Sequence, residues 1–220
     1  MFAVDGDKKM KAIIIGTGGH ARVILDILNY DRNVEIVAFI DKEIHGSDEK
    51  IMGIPVLGDH SVLPDMLKSG IKGAIIGVGD NKIRKEYYEK FRNMGIELVN
   101  AIHPAVHLSH YAKIGKGVVV AAGATIATGA EIGNNVIVNS GAIIEHEDIL
   151  EDHVHIAPGT VLAGRVKVKE GAFIGAGCVV KQYVTIGRNA IIGAGSVVLE
   201  DIPENSVAVG APAKVIKRIS

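Results

Sequence analysis

The sequence predicts a mixed fold: a small N-terminal α/β Rossmann-like unit with a parallel sheet, followed by a parallel β-helix of hexapeptide repeats. Three observations predict it. An aliphatic residue recurs at every sixth position from Ile102 to Val198 without a miss. Ahead of that stretch, short aliphatic runs alternate with helical ones. Gly supplies 27 of 220 residues, about 12% against a typical ~7%, in a chain that is 48% hydrophobic and 4% aromatic. Disorder requires low hydrophobicity, so this composition reads as many tight turns between short aliphatic strands.

Residues 1–10 read as a leader, with Met10 as an alternative start and charges where a signal peptide would be apolar. Residues 11–100 form the α/β unit. Residues 11–15 are an aliphatic strand, and 21–29 an amphipathic helix. Val34–Ile40 is a second strand ending at Asp41, and 54–58 a short third. Residues 61–69 read as a helix with Ser61 as its N-cap. Residues 73–77 are a strand, 80–94 a helix and 97–99 a last strand. Alternating strands and helices imply a parallel, right-handed βαβ sheet.

Gly16-x-Gly18-x-x-Ala21 follows the first strand and fits the dinucleotide fingerprint, with an acid, Asp41, further on. Glycines let backbone approach a phosphate, and a helix N-terminus supplies free N–H groups. About 90 residues are too few for two mononucleotide halves, so one nucleotide diphosphate is the expected tenant rather than a nicotinamide cofactor. Gly16, Gly18, Gly19, His20 and Asp41 are its candidate contacts. A second loop, containing Gly79 and Asn81, also joins a strand to a helix and would line the same crevice.

Residues 101–203 form the β-helix. Stepping by six from Ile102 meets seventeen aliphatic residues in succession. Four residues after each comes a small or β-branched residue, such as Ala124, Ala142, Thr160, Cys178 or Ser196. The aliphatic position points inward and the small one fills the corner. Asp148 is the one acidic residue at a corner position, and such breaks of a core rule favour functional sites. Residues 204–220 drop the repeat and are expected to cap the last coil.

Net charge is −1, from 24 basic and 25 acidic residues, which gives no electrostatic footprint for nucleic acid or an anionic membrane. No apolar run reaches the ~18 residues of a membrane span. One cysteine, Cys178, excludes an intramolecular disulfide and a thiolate metal cluster. The expectation is a soluble cytoplasmic protein without a metal.

The segments GTGGHA, GVGDNKIRK, GAIIEHEDILEDHVHIAPG and VAVGAPAKVI together resemble the NeuD/PglD-type sugar acetyltransferases, over about residues 11–216. That resemblance implies a left-handed β-helix, a homotrimer, acetyl-CoA along the β-helix at subunit interfaces and a nucleotide-linked amino sugar at the N-terminal unit. It implies His146 as general base. Histidine suits that role at neutral pH, and a carboxylate on its other nitrogen fixes the tautomer. Glu147 is the first choice for that carboxylate and Glu145 the second. His155 is an expected oxyanion donor and CoA contact, Asn139 a further active-site position, and His20 lies at the nucleotide end. Gly164, Ala194 and Lys214 are the expected CoA contacts. Cys178 points inward, so direct attack by the amine is expected rather than an acyl-thiol intermediate.

Three other readings use the same residues. A γ-type carbonic anhydrase would need three histidines on one zinc, for which His146, His153 and His155 are candidates without the family's spacing. A sugar-nucleotide-binding scaffold would bind without turnover. An O-acetyltransferase on a free acidic sugar, of the sialic-acid type, would need a basic residue in the crevice.

Overall fold

A computed structural model describes residues 9–41 and 49–219. The expected leader lies outside these up to residue 8. Met10 does not belong to it: it opens strand β1, Met10–Ile15, opposite Val34. Helix α1 (Gly19–Leu28), β2 (Val34–Ile40), α2 (Leu63–Lys68), β5 (Gly73–Ile76), α3 (Asn81–Asn93) and β6 (Glu97–Leu98) complete the unit, with a small hairpin, β3 (Lys50–Ile51) and β4 (Ile54–Pro55), between β2 and α2. The sheet runs in the order β2-β1-β5-β6, all parallel.

Two local expectations change. The third strand at 54–58 pairs antiparallel in the β3–β4 hairpin, and only a Phe39–Val56 bridge joins it to β2. Ser61 is not a helix cap. It lies in a 3₁₀ turn, His60–Val62, and its N–H donates to the Asp59 carboxylate at 2.9 Å.

From Ala101 to Val198 the chain forms seventeen two-residue strands in three parallel sheets. The second residue of each strand is the hexad aliphatic. From Val120 onward these side chains fill a continuous core with the small corner residues, and Cys178 lies in it. Residues eighteen apart stack, so each face carries an outward row as well. On the first face that row is Ala101, Val119, Ile137, His155, Phe173 and Ile191. Ala101, Val119 and Ile137 share a buried cluster with Ala21, Ile24, Leu25 and Leu28 of α1. The α/β unit thus docks on the first face, and His155 is the next residue of the row it covers.

The expected cap, residues 204–220, opens as a continuation of the coil. Ile202 bridges Ile186, and Ala208 of β24 (Ser206–Gly210) pairs with Ile192. Those steps are 16 residues, not 18, so the turn after Val198 is two residues short and the coil carries on out of frame. Ile202, Ser206 and Ala208 are buried in it. Strand β25 (Ala213–Arg218) then folds back antiparallel on β24.

Candidate active site

The turn 145–148 joins strand Ile143–Ile144 of the second face to Ile149–Leu150 of the third. Ile144 is fully buried, which leaves His146 and Glu147 outside, both exposed. Glu147 adopts φ 59°, a left-handed conformation taken at the same point of the preceding coil by Gly129 and of the following coils by Arg165 and Tyr183. The His146 ring lies on Gly164, one coil on. A Cβ at Gly164 would stand 2.4 Å from its Nε2 and 2.5 Å from its Cε1. The bare backbone of Gly164 therefore makes room for the imidazole, in addition to any contact with CoA.

Asp148 is the reason this turn differs from its neighbours. At equivalent points, the N–H groups of Ala127 and Ala163 donate to carbonyls of the next coil. The Glu145 N–H donates instead to Asp148 Oδ2 at 2.9 Å, and the Val166 N–H to Oδ1 at 2.7 Å. Burial pushes the Asp148 carboxyl up to about 8, although both N–H bonds favour its charged form. The corner position is thus a buried acid that ties the two ends of the histidine turn to the coil above.

Glu147, expected to orient the imidazole, pairs with Arg165. That hydrogen bond, then the Arg165 charge, holds its carboxyl below the ordinary range. Arg165 in turn donates to the Tyr183 hydroxyl at 2.9 Å and stacks over its ring at 5.7 Å. With Lys167 and Thr185 these residues line an open depression of about 390 Å³ beside His146. Glu145 accepts the His146 backbone N–H at 3.1 Å.

A second group gathers where the α/β unit meets the first face. Gly16 takes φ 96°, and a Cβ there would meet the Gly77 carbonyl at 3.2 Å. Gly77 is itself pressed against α1: its Cβ would lie 2.6 Å from the Ala21 Cβ. Neither reason applies at Gly18 and Gly19, where a Cβ would point into open space. Gly18 is the N-cap of α1 without a side-chain cap, so the helix N–H groups stay open to a ligand. The Thr17 hydroxyl donates to Asp41 Oδ2 at 2.6 Å, which ties the glycine loop to the end of β2.

His20 and His155 face each other, with ring centroids 6.5 Å apart. His155 Nδ1 lies 3.3 Å from the Gly79 carbonyl, and Phe173 meets its ring edge-on at 5.0 Å. Burial first, then the Arg84 charge, depresses both imidazoles to about 4. His155 is therefore neutral. A carbonyl only accepts, so Nδ1 holds the proton and Nε2 presents a lone pair. In that tautomer the ring offers an acceptor at Nε2. Nε2 of both histidines is buried and without a partner among the described residues.

Asn81, expected at the nucleotide, anchors the unit to the solenoid: Nδ2 donates to the Gly171 and Ala172 carbonyls at 2.9 and 3.1 Å. Asn139, at the corner between the first and second faces, accepts the Ser140 N–H at 2.9 Å. Ala194 is exposed in a turn near the last coil, and Lys214 is exposed on β25. Within one chain, then, His146 on the second–third corner stands apart from His155 on the first face. His153 is buried elsewhere, 2.8 Å from Asn135 Nδ2, and among the described residues no His, Cys, Asp or Glu group could hold a metal ion. No helix among them is long and apolar enough to cross a membrane.

Sequence reasoning gave no role to Arg84, Arg165 or Tyr183. The eighteen-residue step that stacks Glu147, Arg165 and Tyr183 was available from the hexad count. Arg84 lies in the GVGDNKIRK segment, but on residue type alone a lone arginine in a polar helix reads as solvated.

Residues 11–91 match the PglD N-terminal domain, and residues 111–146 and 165–200 match the bacterial transferase hexapeptide (six repeats). The chain is 39% identical to PerB of Caulobacter crescentus, solved in complex with CoA and GDP-perosamine, with a TM-score of 0.89 over 94% of this chain and 97% of that one. It is 33% identical to the acetyltransferase domain of PglB from Neisseria gonorrhoeae in complex with acetyl coenzyme A, with a TM-score of 0.88 over 95% of this chain and 100% of that one. It is also 37% identical over 114 residues to the UDP-N-acetylbacillosamine N-acetyltransferase of Bacillus subtilis, a match that spans 50% of each chain.

Proposed function

This chain belongs to the NeuD/PglD-type family of sugar acetyltransferases, and we propose that it moves the acetyl group of acetyl-CoA onto the 4-amino group of a UDP- or GDP-linked amino-deoxysugar. One observation carries the reading. At the only hexad corner that buries a carboxylate, an exposed imidazole, His146, is laid over the bare backbone of Gly164.

The sugar amine attacks the thioester carbonyl carbon while His146 removes its proton. The oxyanion that forms is met by backbone N–H groups. Collapse breaks the carbon–sulfur bond, and the thiolate leaves with the proton held by His146. Cys178 lies in the solenoid core, which suits direct transfer. The open glycines at positions 18 and 19 and the α1 N-terminus receive the nucleotide phosphates, with His20 and Asp41 beside them. Gly79 lines that crevice. Neutral His155 accepts an N–H or O–H from a bound substrate, and Ala194 and Lys214 lie along the CoA path. His146 lies at the second–third corner and His155 on the first face, so in this reading Asn139 and His155 act beside His146 of a neighbouring copy in a trimer.

The test is a panel of UDP- and GDP-linked amino sugars with acetyl-CoA, following thiol release. The expected result is release that depends on one 4-amino sugar nucleotide. Release supported equally by the 4-hydroxy sugar would point to O-transfer. Binding of the sugar nucleotide without any release would leave a scaffold.

A further inference from the structure

Arg84, in the first turns of α3, is only 1% exposed. Its five N–H donors cannot be silenced by deprotonation in a protein, and a buried charge is tolerated only when its donors are met. Here they make four bonds to backbone carbonyls: Nη1 to Gly79 at 3.0 Å, Nε to Asn135 at 3.2 Å, Nη2 to His153 at 2.8 Å and to Val154 at 3.4 Å. Asn135 Nδ2 returns a bond to the Arg84 carbonyl at 3.3 Å. One planar fork thus joins the loop before α3 to two stacked corners of the solenoid, a geometry that a lysine cannot reproduce.

The Gly79 carbonyl is shared. It takes Arg84 Nη1 on one side and His155 Nδ1 on the other. Whatever fixes that carbonyl fixes the tautomer of His155. The charges facing Arg84 and the imidazoles are few. Asp80 caps α3, His153 lies under the guanidinium, and His20 and His155 face each other. Lys85, Asp152 and Glu170 bear on His153, and Glu89 Oε1 lies 4.0 Å from it.

We propose that Arg84 is a positioning residue: by clamping the Gly79 carbonyl to the solenoid corner, it holds His155 as the Nδ1–H tautomer with Nε2 open as an acceptor for substrate. This rests on the reading above that His155 faces the substrates. The Arg84 charge also supports the neutral state of both imidazoles, after burial itself.

The experiment is histidine NMR on the full chain across about pH 5 to 8, on wild type, Arg84→Lys and Arg84→Met, beside steady-state kinetics. Wild type should show neutral His155 as one Nδ1–H form throughout. Arg84→Met should raise the titration of His155 and His20 from about 4 without bringing it to the ordinary imidazole value, since burial remains, and should mix the tautomers. Arg84→Lys should keep them neutral but mix the tautomers. Both should raise KM roughly tenfold or more with a smaller change in kcat, as for a lost positioning contact. Loss of stability alone, with His155 unchanged in a folded variant, overturns the proposal. An Nε2–H tautomer in wild type overturns it without any variant. The NMR result needs no turnover, so Arg84 is judged even if acetyl transfer fails.

Discussion

Gly164 earns its place through a neighbour rather than through its own turn, since no left-handed φ is required there. A methyl group would overlap the His146 ring. Gly164→Ala should therefore push the imidazole off its position and lower turnover by about 10²-fold, the order seen when a reacting group is misplaced, with little change in unfolding temperature. His146→Ala should lower kcat by ~10²–10⁴-fold while calorimetry shows acetyl-CoA binding intact. Asp148 gives a prediction with a sign. Its folded pKa of about 8 lies above the ordinary 3.8, so its stabilising share is complete below that ordinary value and is lost as pH rises toward 8. Asn does not titrate. Wild-type stability relative to Asp148→Asn should fall between about pH 4 and 8, by on the order of a few kcal/mol at ~1.4 per pKa unit. Urea unfolding at the two ends checks this, and a gap that does not move with pH contradicts it. The Glu-His-Glu-Asp turn was legible because it broke a counted repeat. The Arg165 partner of Glu147 follows from the eighteen-residue step of the same repeat, whereas the Gly79 partner of His155 does not, because it comes from the other unit.

At the scale of elements, the hexads predicted seventeen strands because each aliphatic must point into a prism one side chain wide. The frame failed only where a turn lost two residues after Val198, and there a search allowing a two-residue slip finds Ile202 and Ala208. Around α2, Ser61 looked like a cap by residue type. The cap geometry was set instead by Asp59 and by Pro64, which sits in the first turn of the helix. The glycine loops separate into two kinds. Gly77→Ala should cost about 1–3 kcal/mol as an overpacked contact, since its Cβ would lie 2.8 Å from the Ala21 backbone. Gly18→Ala should leave thermal stability nearly unchanged but weaken binding of UDP or GDP in a calorimetric titration. Unchanged nucleotide affinity would remove the phosphates from the α1 N-terminus.

For the whole molecule, the outward row of the second face includes Ile143, Val161 and Val179, and Val179 is 45% exposed. His146 borders that row, while His155 lies on the first face. A trimer that buries the second face would cover this row. Sedimentation should give a species of three 23.2 kDa chains, and Val179→Glu should dissociate it and abolish turnover together. The most direct test of the account is the mass of the nucleotide sugar after incubation with acetyl-CoA, for wild type and His146→Ala side by side. Direct transfer with His146 as base predicts one added acetyl group, on the amine, formed by wild type and lost in the variant beyond about 10²-fold. An acetyl group on a hydroxyl, or equal product from His146→Ala, contradicts it.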